Sequence, residues 1–211
     1  MAFTAPRLYL ITDRRATAGR PLLEVVRAAL AGAPGGGVAV QLREKDLGAR
    51  ALLALARELR DVTRDAGAAL FVNDRVDVAL AVGADGVHLG GGSLGPTEVA
   101  RFAPGLPVAV STHGRAEVEA AARAANVAFA VFGPIWDTPS KLSYGPPLGL
   151  EALRGAVRFG LPLLALGGVT AARAGACLAT GAAGIACIRA VLEAPDPAYV
   201  VRSFLTAVEK T

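Results

Sequence analysis

The chain has 211 residues, of which 53% are hydrophobic and 19% charged, so it can bury a sizeable core and a largely disordered protein is excluded. Its formal net charge is +4, but only 5% of the residues are aromatic and the basic residues are scattered, which argues against nucleic-acid binding. An anionic small substrate explains the same basic bias equally well.

The cysteines and the N-terminal segment bear on cellular location. Cys177 and Cys187 lack the spacing of a zinc knuckle or a redox pair, which predicts two reduced cysteines in the core. The apolar run of the N-terminal segment is too short for a signal sequence or a membrane span. We therefore expect a cytoplasmic protein that binds no membrane, and the sequence leaves a homo-oligomer open.

Eight short β-branched or leucine-rich runs recur along the chain and predict strands. In chain order they are LYLIT at 8–12, VAVQLR at 38–43, ALFVN at 69–73, GVHLG at 86–90, PVAVS at 107–111, AFAVFG at 128–133, PLLALGG at 162–168 and GIACI at 184–188. Alanine-rich segments with helical spacing separate most of them, such as PLLEVVRAALAG and RAEVEAAARAA. The glycines at 35–37 are expected to join the first helix to the second strand.

Apolar strands that alternate with helices predict a parallel sheet with helices on its outer face. The number of strands favours a closed (β/α)8 barrel, or TIM barrel, over an open sheet of the Rossmann type. The Rossmann alternative requires a GxGxxG turn after an early strand, whereas TDRRATAG follows the first strand here. We predict a single TIM-barrel domain that spans residues 1–211.

The second strand ends in polar residues, and the chemistry of a TIM barrel lies at the carboxyl ends of its strands. Gln41, Arg43 and Lys45 fall on one face by a period of two. The alternative is a solvated strand end at which Arg43 and Lys45 pair with Glu44 or Asp46. The position of Gln41 inside an otherwise apolar strand favours a binding site.

The third, fourth and fifth strands carry further candidate residues. Asn73 and Asp74 either cap the following helix VDVALAV, or Asp74 supplies a carboxylate to Mg²⁺, a cation that favours oxygen ligands. His88 is expected to pack in or near the core. His113, two residues after Ser111, is the better candidate for proton transfer.

The last three strands are followed by residues that suit an anion. Hydroxyls and a lysine follow the sixth strand, two glycines the seventh and an arginine the eighth; in order these are Thr138, Ser140, Lys141, Gly167, Gly168 and Arg189. Loops seven and eight commonly bind phosphate in such barrels. The hydroxyls serve equally well as turn or cap residues, and that alternative stays open.

Motifs along nearly the whole chain occur in a specific order: YLITD, VQLREK, NDRVDVALAVGADGVHLG, VSTH, FGPIWDTPSK, LALGGV and GAAGIACIRAV. In this order they resemble the family of thiamine-phosphate synthase and its relative TenI, the thiazole tautomerase. The synthase joins hydroxymethylpyrimidine diphosphate to thiazole phosphate and releases diphosphate. The resemblance therefore implies thiamin biosynthesis, phosphorylated small substrates and Mg²⁺.

The resemblance also implies a role for each matching residue. For the pyrimidine diphosphate it implies Gln41, Arg43, Lys45, Asn73, Ser111 and Lys141, and for Mg²⁺ it implies Asp74. For the thiazole phosphate it implies Thr138, Ser140, Gly168, Ile188 and Arg189. Because a pyrimidine cation forms as diphosphate leaves, Mg²⁺, Arg43, Lys45 and Lys141 are expected to stabilise the leaving group.

Two positions depart from the synthase pattern. The fourth loop reads HLGGGS rather than HLGQxD, so Ser93 stands where a second carboxylate would bind Mg²⁺. Arg189 stands where a small serine is common, and it either binds phosphate in bidentate fashion or fills the pocket. The fourth loop is similar to that of TenI, in which the residue matching His113 is the catalytic base and no metal is needed.

Three hypotheses follow from these motifs. The first is a synthase-type transferase that requires Mg²⁺, and the retained motifs at 41–45 and 73–74 favour it. The second is a metal-independent thiazole tautomerase with His113 as acid and base. The third is a barrel that binds thiazole or thiamin phosphate without turnover. Mg²⁺-dependent diphosphate release separates the first from the other two.

Overall fold

A computed structural model describes residues 3–137 and 146–209, and within these ranges eight parallel strands close into one barrel. Each strand pairs with the next along the chain, and the last pairs back onto the first. The strands are β1 (Leu8–Ile11), β2 (Val38–Leu42), β3 (Ala69–Asn73), β4 (Gly86–Leu89), β5 (Val108–Thr112), β6 (Val127–Phe132), β7 (Leu163–Ala165) and β8 (Gly184–Cys187). The predicted (β/α)8 TIM barrel is therefore confirmed.

Helices cover the outer face of this barrel. Those of the described residues are α1 (Leu22–Leu30), α2 (Ala49–Asp65), α3 (Val76–Val82), α4 (Pro96–Phe102), α5 (Arg115–Ala122), α6 (Gly149–Val157), α7 (Ala171–Leu178), α8 (Arg189–Leu192) and α9 (Pro197–Glu209). The longest, α2, buries Leu52, Ala56, Leu59 and Val62, whose spacing of three and four residues forms one apolar stripe. Within the described ranges, the helices are too short or too polar to cross a membrane.

The inside of the barrel changes from apolar to polar along the strands. Tyr9, Phe71 and Phe129 form an aromatic cluster with ring centroids 5.2 to 5.9 Å apart, and the ring of Phe3 packs against it. One pleat further toward the carboxyl ends, β2 contributes Gln41 instead of an apolar side chain. The barrel thus has a closed aromatic base and a polar mouth.

The eight predicted strands all occur, and most boundaries agree within one or two residues. The glycine cluster lies between α1 and β2, and Gly36 and Gly37 adopt φ of 80° and 77°, which glycine tolerates without strain. Cys177 and Cys187 are buried free thiols, and burial raises the pKa of each to about 12. The prediction of reduced core cysteines is confirmed.

Candidate active site at the barrel mouth

Gln41 is the innermost polar residue contributed by β2. Its side chain is 1% exposed, and its Nε2 has no hydrogen-bond partner among the described residues. Burying an amide donor without a partner is costly, so such a group is uncommon in a core that serves packing alone. An unpaired buried donor at the mouth of the barrel instead suits a ligand that brings an acceptor.

The end of β2 is fixed by a buried carboxylate. Thr12 Oγ1 donates to Glu44 at 2.8 Å, and Arg43 N donates to Thr12 Oγ1 at 2.9 Å. Arg14 binds Glu44 and Asp46 together, and this holds the pKa of Asp46 at about 2. The alternative in which Arg43 and Lys45 pair with Glu44 or Asp46 is therefore wrong.

Because β2 ends at Leu42, the loop rather than strand alternation places Lys45, and its side chain is exposed. Arg43 is half-buried and lies close enough to His88 to lower the pKa of that imidazole. Arg43 thus adds positive charge near the barrel mouth.

Asp74 is held by two hydrogen bonds in an unusual backbone conformation. Its φ is 61°, a left-handed value that an aspartate adopts at some cost. Asn73 Nδ2 donates to Asp74 Oδ2 at 2.7 Å, and the Ser93 hydroxyl donates to Asp74 Oδ1. Gly90 N in turn donates to Ser93 Oγ at 2.6 Å. The fourth loop therefore orients the carboxylate of Asp74.

The helix-capping alternative for Asn73 and Asp74 is wrong. Arg75 is the residue that precedes α3, and no side chain caps the start of that helix. A cavity of about 320 Å³ instead opens beside both residues. Its lining residues are Leu42, Glu44, Lys45, Leu47, Leu52, Asn73, Asp74 and Arg75.

His88 is buried, as the sequence predicted, and its imidazole is neutral. Only 2% of the residue is exposed, and burial lowers its pKa to about 3. Its Nδ1 lies 3.3 Å from the hydroxyl of Tyr9, and its Nε2 lies 2.8 Å from Ser111 Oγ. No local sequence pattern signals this contact with Tyr9, because the two residues are 79 positions apart.

His113 is exposed and follows the end of β5. Its Nδ1 lies 2.6 Å from the carbonyl oxygen of Gly133. Since a carbonyl only accepts, Nδ1 must carry the proton. In the neutral ring this leaves Nε2 with a free lone pair, which is the arrangement a general base requires.

The carboxyl ends of β7 and β8 are built from close-packed backbone. Gly168 has a φ of 63°, and a Cβ there would lie 2.8 Å from the Cβ of Trp136. Ile188 precedes α8 and Arg189 opens it, with a side chain that is 51% exposed and lies 3.5 Å from Glu193. The predicted residues Thr138, Ser140 and Lys141 lie outside the described residues.

A cation at this mouth would depend on a single described carboxylate. Within residues 3–137 and 146–209, no three His, Cys, Asp or Glu side chains form a metal-binding group. Each oxygen of Asp74 accepts one hydrogen bond and keeps a second lone pair. Mg²⁺ is commonly held by one or two carboxylates together with substrate phosphate and water, so Asp74 fits such a site.

The fold and the mouth together define a class of protein: a TIM barrel with amide, guanidinium, carboxylate and hydroxyl groups gathered at the carboxyl ends of its strands. The family model described as thiamine monophosphate synthase matches residues 8–191. The chain belongs to this family.

Individual relatives agree with this assignment. A protein of Geobacter sulfurreducens whose name refers to thiamine-phosphate synthase is 50% identical, over 94% of this chain and 92% of the relative. Thiamine-phosphate synthase of Roseiflexus sp. is 46% identical, over 93% of this chain and 82% of the relative. Among solved structures, thiamine phosphate pyrophosphorylase from Pyrococcus furiosus superimposes with a TM-score of 0.86 at 34% identity, over 98% and 97% of the two chains.

Proposed function

We propose that this protein is a thiamine-phosphate synthase, a transferase that joins hydroxymethylpyrimidine diphosphate to thiazole phosphate. The observation that carries the proposal is the convergence of Gln41, Arg43, Asp74 and Ser111 at the barrel mouth of a member of this family. An unpaired amide donor, a guanidinium and a hydroxyl are the groups that bind a polar, anionic substrate.

The proposed reaction breaks the bond between the pyrimidine methylene carbon and the diphosphate oxygen. The electron pair leaves with diphosphate, and the thiazole nitrogen then forms a bond to the methylene cation, so no external oxidant or reductant is required. Arg43, Lys45 and Lys141 would offset the charge that develops on the leaving oxygens. Gln41, Asn73 and Ser111 would hold and orient the pyrimidine diphosphate.

Asp74 would hold Mg²⁺ together with diphosphate oxygens and water, while Asn73 and Ser93 keep its carboxylate in place. When bound, the ion would supply positive charge to the departing diphosphate. A serine hydroxyl is a weaker ligand than a carboxylate, so the substrate's own oxygens carry more of the coordination here than in a site with two aspartates.

The thiazole phosphate would lie at the ends of β6 to β8. Gly168 allows the backbone to approach a phosphate closely, and Ile188 and Arg189 begin a helix beside it. Arg189 is half-exposed and can present its guanidinium to a phosphate in bidentate fashion. Thr138 and Ser140 are assigned to the same phosphate by the family resemblance.

The test is diphosphate release from the purified protein supplied with both substrates, with Mg²⁺ or with a chelator. We expect Mg²⁺-dependent release that matches thiamin phosphate formation. Arg43→Gln should lower kcat/KM by roughly 100-fold, whereas Arg101→Gln on the exposed face of α4 should not. A folded protein that releases no diphosphate under any of these conditions would overturn the proposal.

A second candidate is metal-independent isomerisation of the thiazole, and the geometry of His113 favours it. The carbonyl of Gly133 selects the tautomer of the neutral ring that carries its proton on Nδ1, so the lone pair of Nε2 is open to a substrate proton. This candidate predicts conversion of thiazole phosphate alone in the presence of a chelator, and loss of that conversion in His113→Gln. For both candidate functions we propose a single domain, a cytoplasmic location and small phosphorylated substrates.

A further inference from the structure

Three polar side chains form a continuous chain across the inside of the barrel. The Tyr9 hydroxyl lies 3.3 Å from His88 Nδ1, and His88 Nε2 lies 2.8 Å from Ser111 Oγ. The rings of Tyr9 and His88 are stacked, with centroids 5.8 Å apart and planes inclined by 27°. Tyr9 and His88 are buried, whereas Ser111 is half-buried at the mouth. This hydrogen-bonded relay of Tyr9, His88 and Ser111 therefore leads from the apolar base of the barrel to the candidate active site.

The protonation states of Tyr9 and His88 determine which group donates and which accepts in each hydrogen bond of this relay. Burial raises the pKa of Tyr9 and lowers that of His88, so the phenol is protonated and the imidazole carries a single proton. If that proton were on Nδ1, it would be donated to the Tyr9 oxygen, and the phenol hydrogen would be left without a described acceptor. A buried hydroxyl without an acceptor is costly, so Tyr9 donates to Nδ1.

Tyr9 is therefore the donor and His88 Nδ1 the acceptor of the hydrogen bond between them. With Nδ1 accepting, the proton of His88 is on Nε2 and is donated to Ser111 Oγ.

We propose that Tyr9 and His88 are positioning residues that hold the Ser111 hydroxyl as a donor directed at an acceptor atom of the pyrimidine diphosphate. Because Ser111 Oγ accepts from His88, its own hydrogen is free for the ligand. Gln41 Nε2 is a second donor without a partner among the described residues. Two fixed donors select a ligand group that has only lone pairs to offer, either a ring nitrogen or a diphosphate oxygen.

The inference rests on the proposed function for the identity of the substrate, but its central claim is tested on the ligand-free protein. The chain contains two histidines, so a long-range ¹H–¹⁵N correlation spectrum resolves both rings, and His113→Asn identifies the signals of His88. At pH 7 we expect His88 as a neutral ring protonated on Nε2. A ring protonated on Nδ1, or an imidazolium, would overturn the inference.

Binding measurements then test whether the relay acts on the ligand. Tyr9→Phe should weaken the calorimetric affinity for hydroxymethylpyrimidine diphosphate by roughly three- to tenfold, the value of one lost hydrogen bond. Tyr199→Phe is the matched control, because Tyr199 is 63% exposed on α9. If inorganic diphosphate loses affinity to the same extent, the acceptor is a diphosphate oxygen; if its affinity is unchanged, the acceptor is on the pyrimidine.

Substitutions at His88 separate positioning from packing. His88→Gln keeps an N–H donor near the position of Nε2 and should retain most of the affinity, whereas His88→Met fills a similar volume without a donor and should lose as much as Tyr9→Phe. Equal affinity in His88→Met and the wild type would overturn the inference. Failure of the wild type to bind the pyrimidine diphosphate would instead contradict the proposed function. The nitrogen spectrum would still test whether His88 is protonated on Nε2, as the relay requires.

Discussion

Ser93→Asp tests the single-carboxylate site most directly, because the substitution places a second carboxylate beside Asp74, to which the Ser93 hydroxyl now donates. Two unit charges about 4 Å apart interact by about 1 kcal/mol in water and about 4 kcal/mol at an effective dielectric constant near 20. The doubly charged Mg²⁺ gains about twice that from the added carboxylate. The two carboxylates repel one another with and without the ion, so this repulsion cancels from the change in affinity, and the gain in binding is about twice the interaction of two unit charges.

Asp74 is exposed, so the aqueous value of about 2 kcal/mol applies and the divalent cation should bind roughly thirtyfold more tightly. The assay is Mn²⁺ titration of the ligand-free protein, followed by electron paramagnetic resonance. Ser203→Asp adds the same charge on α9, on the outer layer of helices, and should leave the affinity unchanged. Equal Mn²⁺ affinity in Ser93→Asp and the wild type, or an equal gain in Ser203→Asp, would refute the assignment of the site to Asp74.

Three further predictions concern stability. Burial holds the pKa of His88 at about 3, so between about pH 6.5 and 3 the unfolded state takes up a proton that the folded state does not. The free energy of unfolding should therefore fall by up to about 1.4 kcal/mol for each pH unit of acidification in this range. His88→Gln should reduce this pH dependence, measured by urea titration at several pH values. The low pKa of Asp46 makes its ion pair stabilising above about pH 4 and lost toward pH 2, so melting temperatures of Asp46→Asn and the wild type should converge as pH falls to about 2. Gly168→Ala should lower the free energy of unfolding by at least about 1–2 kcal/mol, because its φ is 63° and the new Cβ would meet the loop after β6 at 2.8 Å; Gly155→Ala, in open space on α6, should not lower it.

The barrel could be predicted from the sequence because its signal is local and repeated. Each strand is a short apolar run followed by a helix, and eight such units leave few other topologies. Strand ends were harder to place: β7 stops at Ala165, although the apolar run continues through Leu166 to the two glycines. A strand ends where pairing with its neighbours ends, and that depends on residues distant in the chain.

The contacts between strand ends could not be predicted from the sequence. The partners of Glu44 and Asp46 are Arg14 and Arg15, which follow β1 and lie about thirty positions earlier. Local spacing instead suggested Arg43 and Lys45 as the ion-pair partners of these carboxylates, because a sequence shows only which residues are neighbours along the chain. Closure of the barrel brings the ends of β1 and β2 together and reassigns the pairs.

The same limit applies inside the barrel. The sequence predicted that His88 is buried, since it lies in an apolar strand, but it did not predict a hydrogen-bonded role for it. Tyr9 on β1 and Ser111 on β5 reach His88 only because their strands place them on the same inner surface. A buried histidine of this kind looks like ordinary core until its two neighbours are known.

The two histidines divide the possible chemistry between them. With a pKa of about 3, His88 cannot exchange a proton at neutral pH, so it can orient Ser111 but cannot act as an acid or a base. His113 has an accessible ring whose Nε2 is unprotonated in the neutral form. Any proton transfer by a histidine therefore falls to His113. Carbon–nitrogen bond formation with diphosphate as leaving group needs no histidine base, whereas isomerisation of the thiazole does. The response of each activity to His113→Gln thus separates the two candidate reactions without reference to the metal.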